Sequence, residues 1–179
     1  MTFNNRIRAT VFTIFCLLAS ACARSAGDTN KNGSPAAAEP TPITSMGVVK
    51  VNPEELTLGK GESGTAIVRL QIQNGYHVNA NPPSLRYLIP TELQVTPAGG
   101  VSAGAITYPD PLTKTFSFSP DAPLKVYEGE AIVKAMLKAD ASAETGKHNL
   151  SGKLRVQACD DQVCYPPGTI DLTVPVTIK

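Results

Sequence analysis

The chain reads as all-β, an antiparallel sandwich of immunoglobulin type. Three observations predict this. Apolar residues recur with period two from Gly47 onward, and turn-forming residues interrupt them every dozen or so positions. No long stretch carries the 3.6-residue period of an amphipathic helix. Several strands with one apolar face each must bury those faces together, and two sheets packed face to face do so.

Taken in order, Val48–Val51 is the first short apolar segment. Val68, Leu70 and Ile72 then alternate with Arg69, Gln71 and Gln73. Further segments lie at Tyr87–Val95, Ala105–Tyr108 and Val126–Tyr127. Ala131, Val133, Ala135 and Leu137 follow the alternating rule, with Lys134 and Lys138 on the other face. Leu150–Val156 comes next. The last strand is the clearest, with Ile170, Leu172, Val174, Val176 and Ile178 alternating with Asp171, Thr173 and Thr177. Asn74-Gly75, Asn81-Pro82-Pro83, Ala98-Gly99-Gly100, Asp110-Pro111 and Thr145-Gly146 separate these segments. Pro175 lacks a backbone donor, which predicts an edge or bulge within the final strand.

Ahead of this domain, expected over residues 47–179, stands an export segment. Residues 1–21 read as a signal peptide: Arg6 and Arg8, an apolar run from Ala9 to Leu18, then small residues up to Ala21. The run is too short to be a membrane span. The ending Leu18-Ala19-Ser20-Ala21-Cys22 resembles a bacterial lipobox, which implies that Cys22 is lipidated. Ordinary cleavage after Ala19-Ser20-Ala21 is the alternative. Lipidation is preferred because the cysteine directly follows the small residues. Residues 22–46 are rich in Ala, Ser, Pro, Gly, Asn and Thr, and read as a lipid-anchored flexible linker spanning about 25 Å. Either processing route delivers the domain to an oxidising compartment. Net charge is +1, so neither a nucleic-acid partner nor a polybasic membrane patch is expected.

Export gives the cysteines their meaning. The chain holds four, and Cys16 lies inside the export segment. Cys159 and Cys164 stand close together at a strand end, because Leu154 and Val156 alternate with Arg155 and Gln157 toward Cys159. Tyr165-Pro166-Pro167 then stiffens the exit into the last strand. The pair should flank the bend of a hairpin at one end of the sandwich, where loops carry function. A bridge closing about six residues removes only roughly 2 kcal/mol of unfolded-state entropy. Bracing a loop is thus a weak reason for the pair, and redox chemistry a better one. Asp160 and Asp161 lie between the cysteines, and the loop side offers no nearby Lys, Arg or His. Carboxylates disfavour a thiolate, so thiol pKa values at or above that of free cysteine are expected. Such a pair reacts well mainly within a complementary complex.

These motifs carry a resemblance. The Cys159–Cys164 segment with Tyr165-Pro166-Pro167, together with Gly75-Tyr76-His77-Val78-Asn79, Tyr108-Pro109 and Val126-Tyr127-Glu128-Gly129, resembles the N-terminal periplasmic domain of the thiol:disulfide interchange protein DsbD family. The similarity covers about residues 47–179. It implies an immunoglobulin-like domain in the periplasm of a Gram-negative-type bacterium, with Cys159 and Cys164 as redox pair and Cys164 forming mixed disulfides with partners. It further implies a membrane-embedded electron donor or thioredoxin-like domain on one side. On the other stands a periplasmic disulfide isomerase or a cytochrome c maturation thioredoxin. A mobile cap loop with a shielding aromatic ring is implied at Lys114–Ser119, which makes Phe116 or Phe118 the shield. Tyr76 matches a family tyrosine near the site, and Tyr165, Asp160 and Asp161 would line it. The chain carries no multi-helix membrane domain and no C-x-x-C thioredoxin domain, so the expected donor is another polypeptide.

Duller readings stand beside these. Any of Phe116, Phe118, Tyr76 and Tyr165 can be a core aromatic. His77 and His148 are expected at the surface, and neither a metal site nor a cofactor is expected. Two functions of different class therefore compete. One is a membrane-tethered thiol:disulfide exchange module. The other is a noncatalytic binding or envelope-structural sandwich with an inert hairpin disulfide.

Overall fold

The computed structural model describes residues 42–179; the expected export segment, Cys16, Cys22 and nearly all of the expected linker lie outside them. The described residues form strands and no helix. One antiparallel sheet has the order β1 (Val49–Pro53), β3 (Ser63–Ile72), β9 (Glu130–Ala139), β6 (Val101–Thr107). A second runs β2 (Leu56–Leu58), β12 (Gly168–Ile178), β10 (Gly146–Val156), β5 (Glu92–Val95), with β2 parallel to the end of β12. A third, shorter sheet has the order β11 (Ala158–Cys159), β4 (His77–Asn79), β8 (Ser119–Tyr127), β7 (Leu112–Phe116).

The period-two residues face inward as their pattern requires. Val68 pairs with Val133 and Leu70 with Ala131 across the first sheet. Leu150 pairs with Val174 and Leu154 with Ile170 across the second. Val68, Leu70, Val133 and Leu137 meet Leu150, Leu154, Val174 and Val176 in one buried apolar cluster. Each such side chain contributes about 1.5–3 kcal/mol through lost water contact. This is an immunoglobulin-like β-sandwich.

Two elements differ from the sequence pattern. Only Glu92–Val95 of the apolar segment Tyr87–Val95 forms a strand. Its first half turns instead, with the Leu88 amide donating to the Leu85 carbonyl at 3.1 Å, after the stiff Asn81-Pro82-Pro83. Ser45, placed by composition in the linker, is fully buried. Its hydroxyl donates to the Pro166 carbonyl at 2.7 Å and accepts from the Ala158 amide at 3.0 Å. Met46 lies over Gly168, where an added Cβ would come within 2.4 Å of its Cγ. The chain entering the domain is therefore fastened to the segments on both sides of the cysteine hairpin. Pro175 sits where β12 has β10 on one side and lies just ahead of its β2 pairing, which starts at Val176.

Candidate functional site

The cysteine hairpin is built around one carboxylate. Cys159 and Cys164 form an isolated antiparallel pair, with Cα atoms 3.9 Å apart, joined by a disulfide. Between them the Asp160 amide donates to the Val163 carbonyl at 3.0 Å. Asp160 Oδ1 accepts from the Gln162 and Val163 amides at 2.8 Å each, a side chain imitating backbone to hold a turn. Its Oδ2 accepts from the Tyr165 hydroxyl at 2.6 Å. The Tyr165 bond and then the two amides hold the Asp160 carboxyl below its ordinary range. The same bond is the main reason the Tyr165 phenol is pushed up to about 12. Tyr76 stands beside Tyr165, ring centres 6.0 Å apart.

The two sulfurs are not equivalent. Cys159 is fully buried, whereas Cys164 is partly exposed. Cys164 lines a cleft of about 310 Å³ with Tyr87, Leu88, Phe118, Leu124 and Val163. Tyr87 and Val163 are 76% and 50% exposed, so apolar surface flanks the accessible sulfur.

Lys114–Ser119 is a hairpin joining β7 to β8, with Ser117 and Phe118 at its turn. An irregularity in register between Lys114 and Phe116 re-aims the chain there. Phe116 is buried with Leu88, Leu124 and Val126 in a small cluster separate from the sandwich core. Its other neighbours are aromatic: the His77 ring stacks on it at 4.0 Å, and the Phe118 ring lies parallel at 5.4 Å. The Ser117 hydroxyl donates to the Asp161 carbonyl, latching this hairpin to the cysteine turn. Phe116 is thus a root, and Phe118 the ring at the cleft.

His77 is not a surface residue. It is 1% exposed. The expectation failed because β4 alternates His77 and Asn79 with apolar Val78, a pattern that normally sends the polar side to water. Here that side is covered as well, His77 by Phe116 and Asn79 by the segment containing Ile89, whose carbonyl accepts from Asn79 Nδ2 at 3.0 Å. Burial pushes the His77 pKa down, opposed by the carboxylates Glu128, Asp161 and Asp160. Neutral at pH 7, it adds no cation to the site, and Lys114 is paired to Glu128 at 2.5 Å.

The family model described as "Thiol:disulfide interchange protein DsbD, N-terminal" matches residues 47–175. The chain belongs to the DsbD N-terminal domain family. Solved structures similar to it include the reduced DsbD N-terminal domain of Neisseria meningitidis, at 19% identity and TM-score 0.48, covering 75% of this chain and 90% of that one. The DsbD N-terminal domain in complex with the PilB N-terminal domain, also from Neisseria meningitidis, is 24% identical at TM-score 0.42, covering 61% and 73%. The N-terminal periplasmic domain of ScsB from Proteus mirabilis is 16% identical at TM-score 0.45, covering 70% of this chain and 44% of that one. No curated protein matches the chain. DsbD N-terminal domains are periplasmic and take part in thiol:disulfide exchange.

Within this DsbD-type domain several supporting residues carried no sequence signal. Gln157 is one. Its Oε1 accepts from Asn79 Nδ2 and from the Ile89 amide at 3.1 Å each, and its Nε2 donates to the Tyr165 carbonyl at 3.4 Å. Ser117 and Ser45 are others, because a hydroxyl latch depends on tertiary placement alone. The Asn74-Gly75 turn was legible: the Tyr76 amide donates to the Gln73 carbonyl at 3.1 Å, and Gly75 has a φ of 84°, which favours glycine. That turn delivers Tyr76 and His77 to the site. Among the described residues no three His, Cys, Asp or Glu side chains cluster as metal ligands would.

Proposed function

We propose that this domain relays reducing equivalents by thiol:disulfide exchange through Cys159 and Cys164. The electrons come from a membrane-embedded or thioredoxin-like donor. They pass to extracytoplasmic redox proteins, of which periplasmic disulfide isomerases and cytochrome c maturation thioredoxins are the candidate acceptors. The observation that carries this reading is the asymmetry of the pair: one sulfur is sealed inside, and the other borders an apolar cleft. An incoming thiolate can reach only Cys164, so the mixed disulfide forms there and the buried Cys159 resolves it. Phe118 is the shielding ring of the resting state, and Phe116 roots the hairpin that presents it. Tyr76, Tyr165, Asp160 and Asp161 shape the turn that holds the pair. Lipidation at Cys22 and the linker tether the domain to a membrane, which raises its local concentration near a membrane-bound donor.

The test is capture in cells. A Cys159→Ser variant, which leaves Cys164 with no internal partner, should accumulate mixed disulfides with thioredoxin-fold proteins. A Cys159→Ser, Cys164→Ser double variant should not. If both show the same adducts, the captured thiol is Cys22 and the reading fails.

A further inference from the structure

We propose that His77 is the proton acceptor and donor for Cys159 during exchange. This rests on the exchange reading above. Cys159 and His77 are direct cross-strand partners in the β11–β4 pair, which puts their side chains on one face as immediate neighbours. His77 is almost fully buried, yet its Nε2 has no hydrogen-bond partner. Buried polar atoms are rarely left so. In the disulfide form the neighbouring sulfur has no hydrogen to donate. In the reduced form Cys159 carries one, and its cross-strand partner His77 holds a buried nitrogen still without a partner.

The proton needs a way out, and one adjoins. His77 forms part of the wall of a polar cavity of about 450 Å³, with Tyr76, Lys114, Glu128 and Asp161 around it. The charged groups facing His77 are Glu128 after β8, Lys114 on β7, and Asp160 and Asp161 in the cysteine turn. The carboxylates favour transient protonation of the ring, and burial returns it to neutral.

Cys164 thiolate attacks the acceptor's disulfide; one acceptor sulfur leaves with the electron pair, and the mixed disulfide forms. Cys159 then gives its proton to Nε2 and attacks Cys164 Sγ. The Cys159–Cys164 bond closes, and the second acceptor sulfur leaves as thiolate, to be protonated by solvent. His77 releases its proton to the cavity. Two electrons pass to the acceptor. When the domain is itself reduced, each step reverses.

The full chain with Cys16→Ser and Cys22→Ser, reduced and mixed with 5,5′-dithiobis(2-nitrobenzoate), releases one coloured thiolate per step, so the Cys159 step is the second phase. In the parent it should be nearly flat from about pH 7 to 8, with a base already in place. His77→Phe keeps a ring on Phe116 but removes the base. It should slow the second phase at pH 7 by on the order of tenfold or more. The rate should then climb about tenfold per pH unit, because the thiol must ionise unaided. The first phase should be unchanged, and His77→Gln should behave alike. A second phase with the parent's pH profile in either variant overturns the proposal. A readout without substitution is the NMR titration of the His77 ring, whose midpoint should fall on reduction, when the Cys159 thiol donates to Nε2. Identical titrations in oxidised and reduced protein overturn it too. If instead the parent shows no second phase, exchange itself has failed, and not only the role of His77.

Discussion

The sandwich body and the third sheet are built on opposite plans. The body has strands of ten and eleven residues, β3, β9, β10 and β12, paired along nearly their full length around one apolar cluster. In the third sheet β4 and β11 have three and two residues, and one small apolar cluster supports the β7–β8 hairpin. Its interior holds polar groups: His77, Asn79 and the Gln157 network, with His77 Nε2 and Asn79 Oδ1 unpartnered. The contrast teaches where stability and chemistry reside. The body supplies most of the apolar burial, and the third sheet packs little and leaves buried polar atoms without partners.

The largest effect that would sharpen this contrast is in the body. Leu154→Ala, at a fully buried position, should destabilise by about 2–5 kcal/mol in denaturant titration. The folded fraction should keep its rate of disulfide exchange. A matching loss of exchange in the folded fraction would break the division.

Acidification should find the third sheet next. Burial holds the His77 pKa below 6.5, so the unfolded chain binds more protons as pH falls past that value. Stability present above about pH 6.5 is therefore lost on acidification toward the folded-state value. Hydrogen exchange should report this first at β4 and β11, and His77→Phe should remove the dependence in that window. A body that loosens first would contradict it.

A smaller effect on stability, but a clear one on reactivity, is expected at the cleft. Phe118 is 37% exposed, so Phe118→Ala should cost under about 1 kcal/mol. In reduced protein it should speed alkylation of Cys164 on the order of tenfold, equivalent to removing ~1.4 kcal/mol of shielding. Unchanged alkylation would mean that Phe118 covers nothing. The smallest effect concerns the turn. Tyr165→Phe removes the main hydrogen bond to Asp160 and should move that carboxyl back up toward its ordinary range, read by NMR titration.

The same contrast explains what could be read from the sequence. Alternation in Val68–Ile72, Ala131–Leu137 and Ile170–Ile178 exposes the body, because each strand has one wet and one dry face. Cys159, Cys164 and the hairpin bend between them were legible from spacing and turn residues. The third sheet was not, since β4 is covered on both faces and His77-Val78-Asn79 reads as half-exposed. Local sequence also showed no basic group near the thiols, whereas folding brings His77 opposite Cys159 from far along the chain. The hydroxyls of Ser45 and Ser117 act across distances that no local pattern encodes.

The central claim is that the Cys159–Cys164 bond opens and closes in normal work. Its most direct test is the reduction potential of the pair, measured by equilibration with a thiol buffer of known potential. A value among those of exchange proteins, roughly −120 to −270 mV, is predicted. A value well below about −300 mV would mark a bond that stays closed, leaving an inert brace at the end of a β-sandwich.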